Sequence, residues 1–417
     1  MRCNNILVTL LLCLLAACGG GGSDGGTGGN SGTGTTGTTS STSGSSTVAA
    51  PMVVATNFQD LVVDTGPAGS VNGLFTSVTV CNPNDSSTCR VIDHVLVDTG
   101  STGLRLLAEA VPTALRLTQQ ASASGGALAE CTQFADGFSW GPIKAAGVKL
   151  GGELIAALAI QIIGDPAFAN IPAACSASGP SENTVALFGA NGVLGVGNFA
   201  NDCGGACANT SSNSSYYSCD ASGCVGVRVA LAEQVQNPVT KLAKDNNGVV
   251  IRLPTPPPEG AASIAGTIIF GIGTQANNAL GSARVFTVSA ASGTLPITLN
   301  GTTYANSYID SGSNANFFDS PGTPVCSSGF YCPLSPLTIA TVVQGLNGTS
   351  ASFNFTVSHA DNFFRDHPGF AIAPNLGGTT ISGGGVDLGL PFFYGRTVYT
   401  AVEGRATSGG TGPYVAF

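Results

Sequence analysis

The sequence predicts a mainly β protein of two lobes built on one plan, with a cleft between them, and three observations carry that expectation. From Val53 onward, short β-branched or aromatic runs are broken by Gly, Asn, Pro or Ser, as in Leu74 to Val80, Val91 to Val97, Thr267 to Phe270 and Phe353 to Val357; such runs read as strands separated by tight turns. A segment recurs at half-chain spacing, Val95-Leu96-Val97-Asp98-Thr99-Gly100-Ser101 returning as Tyr308-Ile309-Asp310-Ser311-Gly312-Ser313. The part of the chain able to bury a core is about 365 residues, more than one hydrophobic core usually serves.

The N-terminal end is of another kind. One cation, Arg2, precedes the apolar run Ile6 to Leu15 and a small-residue stretch ending at Cys18, the order of charge, apolar core and small residues found in a secretory signal. The run is too short for a permanent membrane span. Leu15-Ala16-Ala17-Cys18 resembles the bacterial lipobox, which implies removal of residues 1–17, acylation of Cys18 and attachment to a membrane surface of the bacterial cell envelope; an ordinary signal peptide cleaved nearby is the alternative. Gly19 rather than Asp follows Cys18, and by the same resemblance the outer membrane is the expected location. Residues 18–49 are almost entirely Gly, Ser and Thr after the cysteine, a flexible tether with a reach of roughly 30 Å.

The globular part is expected as an N-terminal lobe over residues 50–253 and a C-terminal lobe over 254–417. The clearest mid-chain break is Leu253 to Ala261, with Pro254, Pro256, Pro257 and Pro258 close together, and a proline cluster of this kind interrupts regular structure. Two stretches have a helical period, Val229 to Val235 and Pro336 to Gln344, and are expected as short surface helices. Each lobe repeats an apolar-glycine signature downstream of its Asp: Gly192-Val193-Leu194-Gly195-Val196-Gly197 in the first and Val386-Asp387-Leu388-Gly389-Leu390-Pro391-Phe392 in the second.

The formal net charge of −9 is thinly spread with no basic cluster, which speaks against nucleic acid as a partner. Of thirteen cysteines, ten remain once Cys3, Cys13 and Cys18 are set aside, and an even number in an exported chain reads as disulfides. Short separations favour Cys81 with Cys89 and Cys326 with Cys332; the pairing of Cys131, Cys175, Cys203, Cys207, Cys219 and Cys224 stays open. A four-thiolate zinc site from Cys203, Cys207, Cys219 and Cys224 is the weaker alternative. His94, His359 and His367 show no ligand spacing, and neither metal nor cofactor is expected.

The repeated loops carry the chemistry. An apolar strand that ends in Asp-Thr-Gly-Ser delivers a carboxylate at the tip of a tight turn, where Gly lets the backbone double back. Two such carboxylates face to face cannot both ionise at moderate pH, so they share a proton. The ionised partner can then deprotonate a water while the protonated one polarises a scissile carbonyl.

These motifs, in this order from about Phe58 to Phe417, resemble the pepsin-like aspartic peptidases. Leu74 to Val80 with the Cys81 to Cys89 loop resembles the family's first hairpin, Gly266 to Gly273 the strand pair that opens its second lobe, and Gly389 to Tyr399 its closing apolar-glycine and aromatic strand. The resemblance implies a pepsin-like fold with Asp98 and Asp310 as catalytic dyad, supported by Thr99, Gly100, Ser101, Ser311, Gly312 and Ser313. The family's flap Tyr has no counterpart in Thr132 to Trp140; Phe134 is the nearest substitute, with Asp136 and Gly137 completing the flap candidate. Arg105 stands where an aromatic residue often braces that Tyr, and Asn201 to Cys224 reads as an insertion. Asp319 and Asp387 are taken as turn residues, and Asp93 as the solvent side of its strand.

The function expected is a membrane-anchored aspartic endopeptidase acting as a monomer on a peptide or protein substrate, with apolar side chains favoured beside the cut. The alternative is a catalytically weak or inactive pepsin-fold lipoprotein that binds peptide, glycan or an envelope partner, motivated by the missing flap Tyr.

Overall fold

The computed structural model describes residues 56–380 and 384–417; the signal peptide, Cys18 and the tether fall outside the described residues. In chain order the strands are β1 (Phe58–Asp64), β2 (Gly73–Asn82), β3 (Asp85–Asp98), β4 (Thr102–Leu107), β5 (Thr118–Gln119), β6 (Ala127–Gln133), β7 (Phe138–Leu150), β8 (Glu153–Ile163), β9 (Gly192–Val196), β10 (Tyr216–Asp220), β11 (Gly223–Gly226), β12 (Gly248–Arg252) and β13 (Ile264–Phe270). The second half continues with β14 (Val285–Thr287), β15 (Leu295–Leu299), β16 (Thr302–Ile309), β17 (Asn316–Phe317), β18 (Leu337–Gln344), β19 (Ser350–Val357), β20 (Gly377–Gly378), β21 (Asp387–Leu388), β22 (Thr397–Ala401), β23 (Ala406–Thr407), β24 (Gly410–Thr411) and β25 (Tyr414–Ala416). Among the described residues the helices are short, the longest α-helix running from Ala360 to Asp366.

The duplicated motifs fold alike. In the first half, Val95 to Asp98 of β3 runs parallel to β9, which is antiparallel to β4. In the second, Tyr308 and Ile309 of β16 run parallel to β21, which is antiparallel to β17. The halves are joined rather than merely adjacent: one large sheet has the order β3-β2-β1-β13-β12-β22-β25-β14 along its later part, and β12 and β13, either side of the proline cluster, pair antiparallel with Val250 opposite Ile269. Leu61, Val97, Leu194, Ile268, Ile309 and Leu388 lie in one continuous buried cluster drawn from both halves, each such side chain contributing about 1.5–3 kcal/mol by leaving water.

Two helical expectations are corrected. Leu337 to Gln344 is strand β18, paired on one side with β15 and on the other with β19; Ile339, Thr341 and Val343 point inward in strict alternation, and its β-branched content suits a pleated surface. Between Val229 and Val235 only a 3₁₀ turn forms, Leu231–Glu233, because both flanking valines are buried in a small cluster with Tyr216 and Cys207. Gly266 to Gly273 holds one strand, β13, whose partners are β1 and β12, not a strand pair of its own.

All ten cysteines pair, as Cys81–Cys89, Cys131–Cys175, Cys203–Cys207, Cys219–Cys224 and Cys326–Cys332. The two favoured short-range pairs form, and with four sulfurs of the insertion in two disulfides, the zinc alternative gives way. Cys131–Cys175, 44 residues apart, closes the longest loop and limits the unfolded chain by about 4 kcal/mol on loop entropy.

Candidate active site

Asp98 ends β3 after Val95 and Val97, both fully buried, so the apolar strand anchors the loop that carries it. Asp310 follows β16 in the same way after the buried Ile309. The loops interlock. The Thr99 N–H donates to Ser311 Oγ at 3.2 Å, the Ser311 N–H donates to Thr99 Oγ1 at 2.9 Å, and the Ser311 hydroxyl donates to the Val97 carbonyl at 2.8 Å. These bonds run between the two halves and fix the separation of the loops they join.

The carboxyl groups meet at a single donor. The Gly100 N–H lies 2.7 Å from Asp98 Oδ1 and 2.9 Å from Asp310 Oδ1. Asp98 Oδ1 also accepts from the Ser101 N–H at 3.2 Å, and Asp310 Oδ1 from the Gly312 N–H at 2.8 Å. The glycines are needed for this approach: a Cβ on Gly100 would stand 2.6 Å from Asp310 Cγ, and one on Gly312 2.7 Å from Asp98 Cγ. Loss of hydration, and after it the neighbouring charge of Asp98, hold the Asp310 carboxyl well above the usual carboxylate range. Two carboxyl groups this close resist carrying two negative charges at once. Such a pair can take a proton from a water and lend one to a carbonyl oxygen.

The two serines of the repeat are not equivalent. Ser101 Oγ is buried and has no hydrogen-bond partner. Ser313 Oγ touches Asp310 Oδ2 at 3.1 Å and Asp387 Oδ2 at 2.5 Å. Asp387 is therefore no turn residue: it lies in β21, opposite Tyr308 in the parallel ladder, 5% exposed. Burial pushes its carboxyl well up, against the lowering effect of the Ser313 hydrogen bond. Asp319, by contrast, sits outside the regular strands and accepts a hydrogen bond from Thr380, and Asp93 is on the exposed side of β3.

The flap candidate is the β6–β7 hairpin, whose tip closes by a 2.8 Å bond from the Phe134 N–H to the Gly137 carbonyl. Its contacts run to the segment 175–188. Phe134 packs edge-to-face on Phe188, the Phe138 N–H donates to the Pro180 carbonyl at 2.9 Å, and the Glu182 N–H donates to the Phe138 carbonyl at 2.9 Å. Gly137 lies against the Pro180 carbonyl and the Glu182 carboxyl, leaving no room for a side chain. Cys131 on β6 is tied to Cys175. Burial, followed by the charge and hydrogen bond of Asp136, pushes the Glu182 carboxyl up to about 9.

Arg105 does not brace a tyrosine; it anchors a buried ion cluster at the root of this hairpin. Its guanidinium, 2% exposed, donates to Glu130 Oε1 at 2.8 Å, Asp202 Oδ2 at 3.0 Å, Thr132 Oγ1 at 2.8 Å and the Thr102 carbonyl at 2.5 Å. The Tyr216 hydroxyl completes it by donating to Asp202. One cation faces two carboxyl groups, and burial together with Glu130 raises Asp202 against the lowering effect of Arg105. The cluster links β4, β6 and the insertion, which folds as a short helix (Gly205–Asn209) and the β10–β11 hairpin.

Asp387, Glu182 and the partners of Arg105 are the residues that sequence reasoning missed. Arg105 did offer a signal, since an arginine inside Leu104-Arg105-Leu106-Leu107 demands buried anionic partners. For cofactors, the ligand atoms of Cys326, Cys332 and His359 gather within 4.8 Å of one another, but the two sulfurs are joined in a disulfide, which leaves one imidazole.

A family model described as a protein of unknown function (DUF3443) matches residues 53–417. No curated protein matches the chain. Among solved structures, the aspartic proteinase from Irpex lacteus matches with a TM-score of 0.50 at 14% identity, over 86% of this chain and 96% of that one. At that identity the likeness is one of fold: a mainly β, pepsin-like architecture.

Proposed function

We propose, on the premise that this chain belongs to the family described as protein of unknown function (DUF3443) and has a pepsin-like fold, that it is an aspartic endopeptidase whose Asp98/Asp310 pair activates water. The observation that carries this reading is the Gly100 N–H held within 2.9 Å of an oxygen from each carboxyl, a pairing that costs like-charge repulsion and is kept by interlocked loops from both halves. On this reading the protein acts as a monomer, and an extended peptide lies across the two lobes, residues 50–253 and 254–417. The test is cleavage of a mixed peptide library by residues 48–417 from acid to neutral pH. The wild type should cut, with apolar residues beside the cut, and Asp98→Asn and Asp310→Asn should each lower kcat by about 10³-fold or more.

The flap tip supports a second reading. With no Tyr hydroxyl at Phe134 and a hairpin bonded along Pro180 to Glu182, the site suits a protein that holds a peptide or glycan without turning it over. Tight binding of library peptides with no product at any pH would favour that reading over the first.

We propose further that acylation of Cys18 holds the protein in the bacterial cell envelope, at the outer membrane, a reading supported by the apolar run Ile6 to Leu15 and the Leu15-Ala16-Ala17-Cys18 segment. Fractionation tests it: the wild type should sediment with membranes and Cys18→Ser should not, whereas equal distribution of the two would remove the anchor.

A further inference from the structure

The Ser313 hydroxyl has one proton and two carboxyl contacts, Asp387 Oδ2 at 2.5 Å and Asp310 Oδ2 at 3.1 Å. It can donate to only one of them. The other contact must be donated by a carboxylic acid, or it would set lone pair against lone pair. Three observations identify the acid as Asp387. Its second oxygen, Oδ1, is buried with no hydrogen-bond partner, which a neutral carbonyl oxygen tolerates far better than a carboxylate. The titratable groups that face it are Asp98, Asp310 and, from the neighbouring strand β16, Tyr308, none of which supplies positive charge; the β17 residues paired with β21 are Asn316 and Phe317, neither titratable. Asp310 is also raised by burial beside Asp98, but its Oδ1 receives two N–H donors, which ease a negative charge there relative to Asp387, whose Oδ1 receives none.

We propose that Asp387 is a positioning residue of the carboxyl pair, a neutral acid whose O–H donates to Ser313 Oγ and thereby commits the Ser313 proton to Asp310 Oδ2. This rests on reading the pair as catalytic. The first half lacks the device: Val193 occupies the matching place in Val193-Leu194-Gly195, and Ser101 Oγ has no partner. One carboxyl of the pair therefore has a hydroxyl donor fixed in direction, and the other does not.

The experiment compares the pH dependence of thermal stability for wild type, Asp387→Asn and Asp387→Val, a readout that does not require cleavage. A carboxyl kept neutral by the fold favours the folded state below the pKa of the unfolded chain, near 4, and that contribution is lost as pH rises toward the folded value. The fall in melting temperature from pH 4 to pH 7 should therefore be smaller in both variants than in wild type, by about 5 °C. Equal slopes would overturn the proposal, and so would a steeper fall in the variants, the signature of an ionised Asp387. Asp387→Val copies the residue of the first half and serves if the amide does not fold. In cleavage assays Asp387→Val should lower kcat by about ten-fold with little change in KM, and Asp387→Asn, which retains a donor to Ser313, should restore most of that loss; no recovery by Asn would count against the donor role. If the wild type cuts nothing, the peptidase reading fails, while the stability comparison still decides the state of Asp387.

Discussion

Gly100 lies between the two carboxyl groups, with its N–H on both and its α-carbon facing Asp310 at a distance that excludes a methyl group. Gly100→Ala should therefore force the loops apart, lowering cleavage by about 100-fold or more and stability by about 1–3 kcal/mol; peptide assays and denaturant titration of the same preparation measure both. The facing of Asp98 and Asp310 was legible because its signal is local, an apolar strand running into Asp-Thr-Gly or Asp-Ser-Gly. Asp387 was not. Glycines on both sides of Val386-Asp387-Leu388 suggested a turn, and the partner that reveals its role, Ser313, lies 74 residues earlier in the chain.

Among the elements, the β6–β7 hairpin departs furthest from a freely hinged flap. It is tied by Cys131–Cys175, by the bonds of Phe138, and by the 2.7 Å bond from the Trp140 N–H to Asn183 Oδ1. Glu182 gives this junction a pH dependence with a definite sign. Its carboxyl is pushed up to about 9 in the fold, so it favours the folded state below the unfolded value of about 4.3. That contribution is lost as pH rises through about 9. Glu182→Gln should flatten the decline and gain about 2 kcal/mol over wild type at pH 8, readable from denaturant midpoints at pH 4, 6 and 8. Most strands were legible from their runs of Val, Ile and Thr. Leu337 to Gln344 was misread because its apolar positions satisfy both a helical and an alternating count; Thr338, Ile339, Thr341, Val342 and Val343 were the better guide, since β-branched side chains fit a pleated strand.

Over the whole molecule, two lobes were foreseeable from chain length and from one repeated motif, and the depth of their union was not. Strand pairing across distant segments, such as Phe58 with Ile269, leaves no local mark beyond an apolar run. The union is closest at the site itself. Gly100, from the first half, forms the wall against Asp310, and Gly312, from the second, forms the wall against Asp98; Thr99 and Ser311 exchange hydrogen bonds across the same boundary. Neither half can inherit the site by itself. A half made alone would leave its carboxyl without the facing glycine wall and its loop without the exchanged hydrogen bonds, so mixing separately produced halves should restore the pair only if they dock across this boundary.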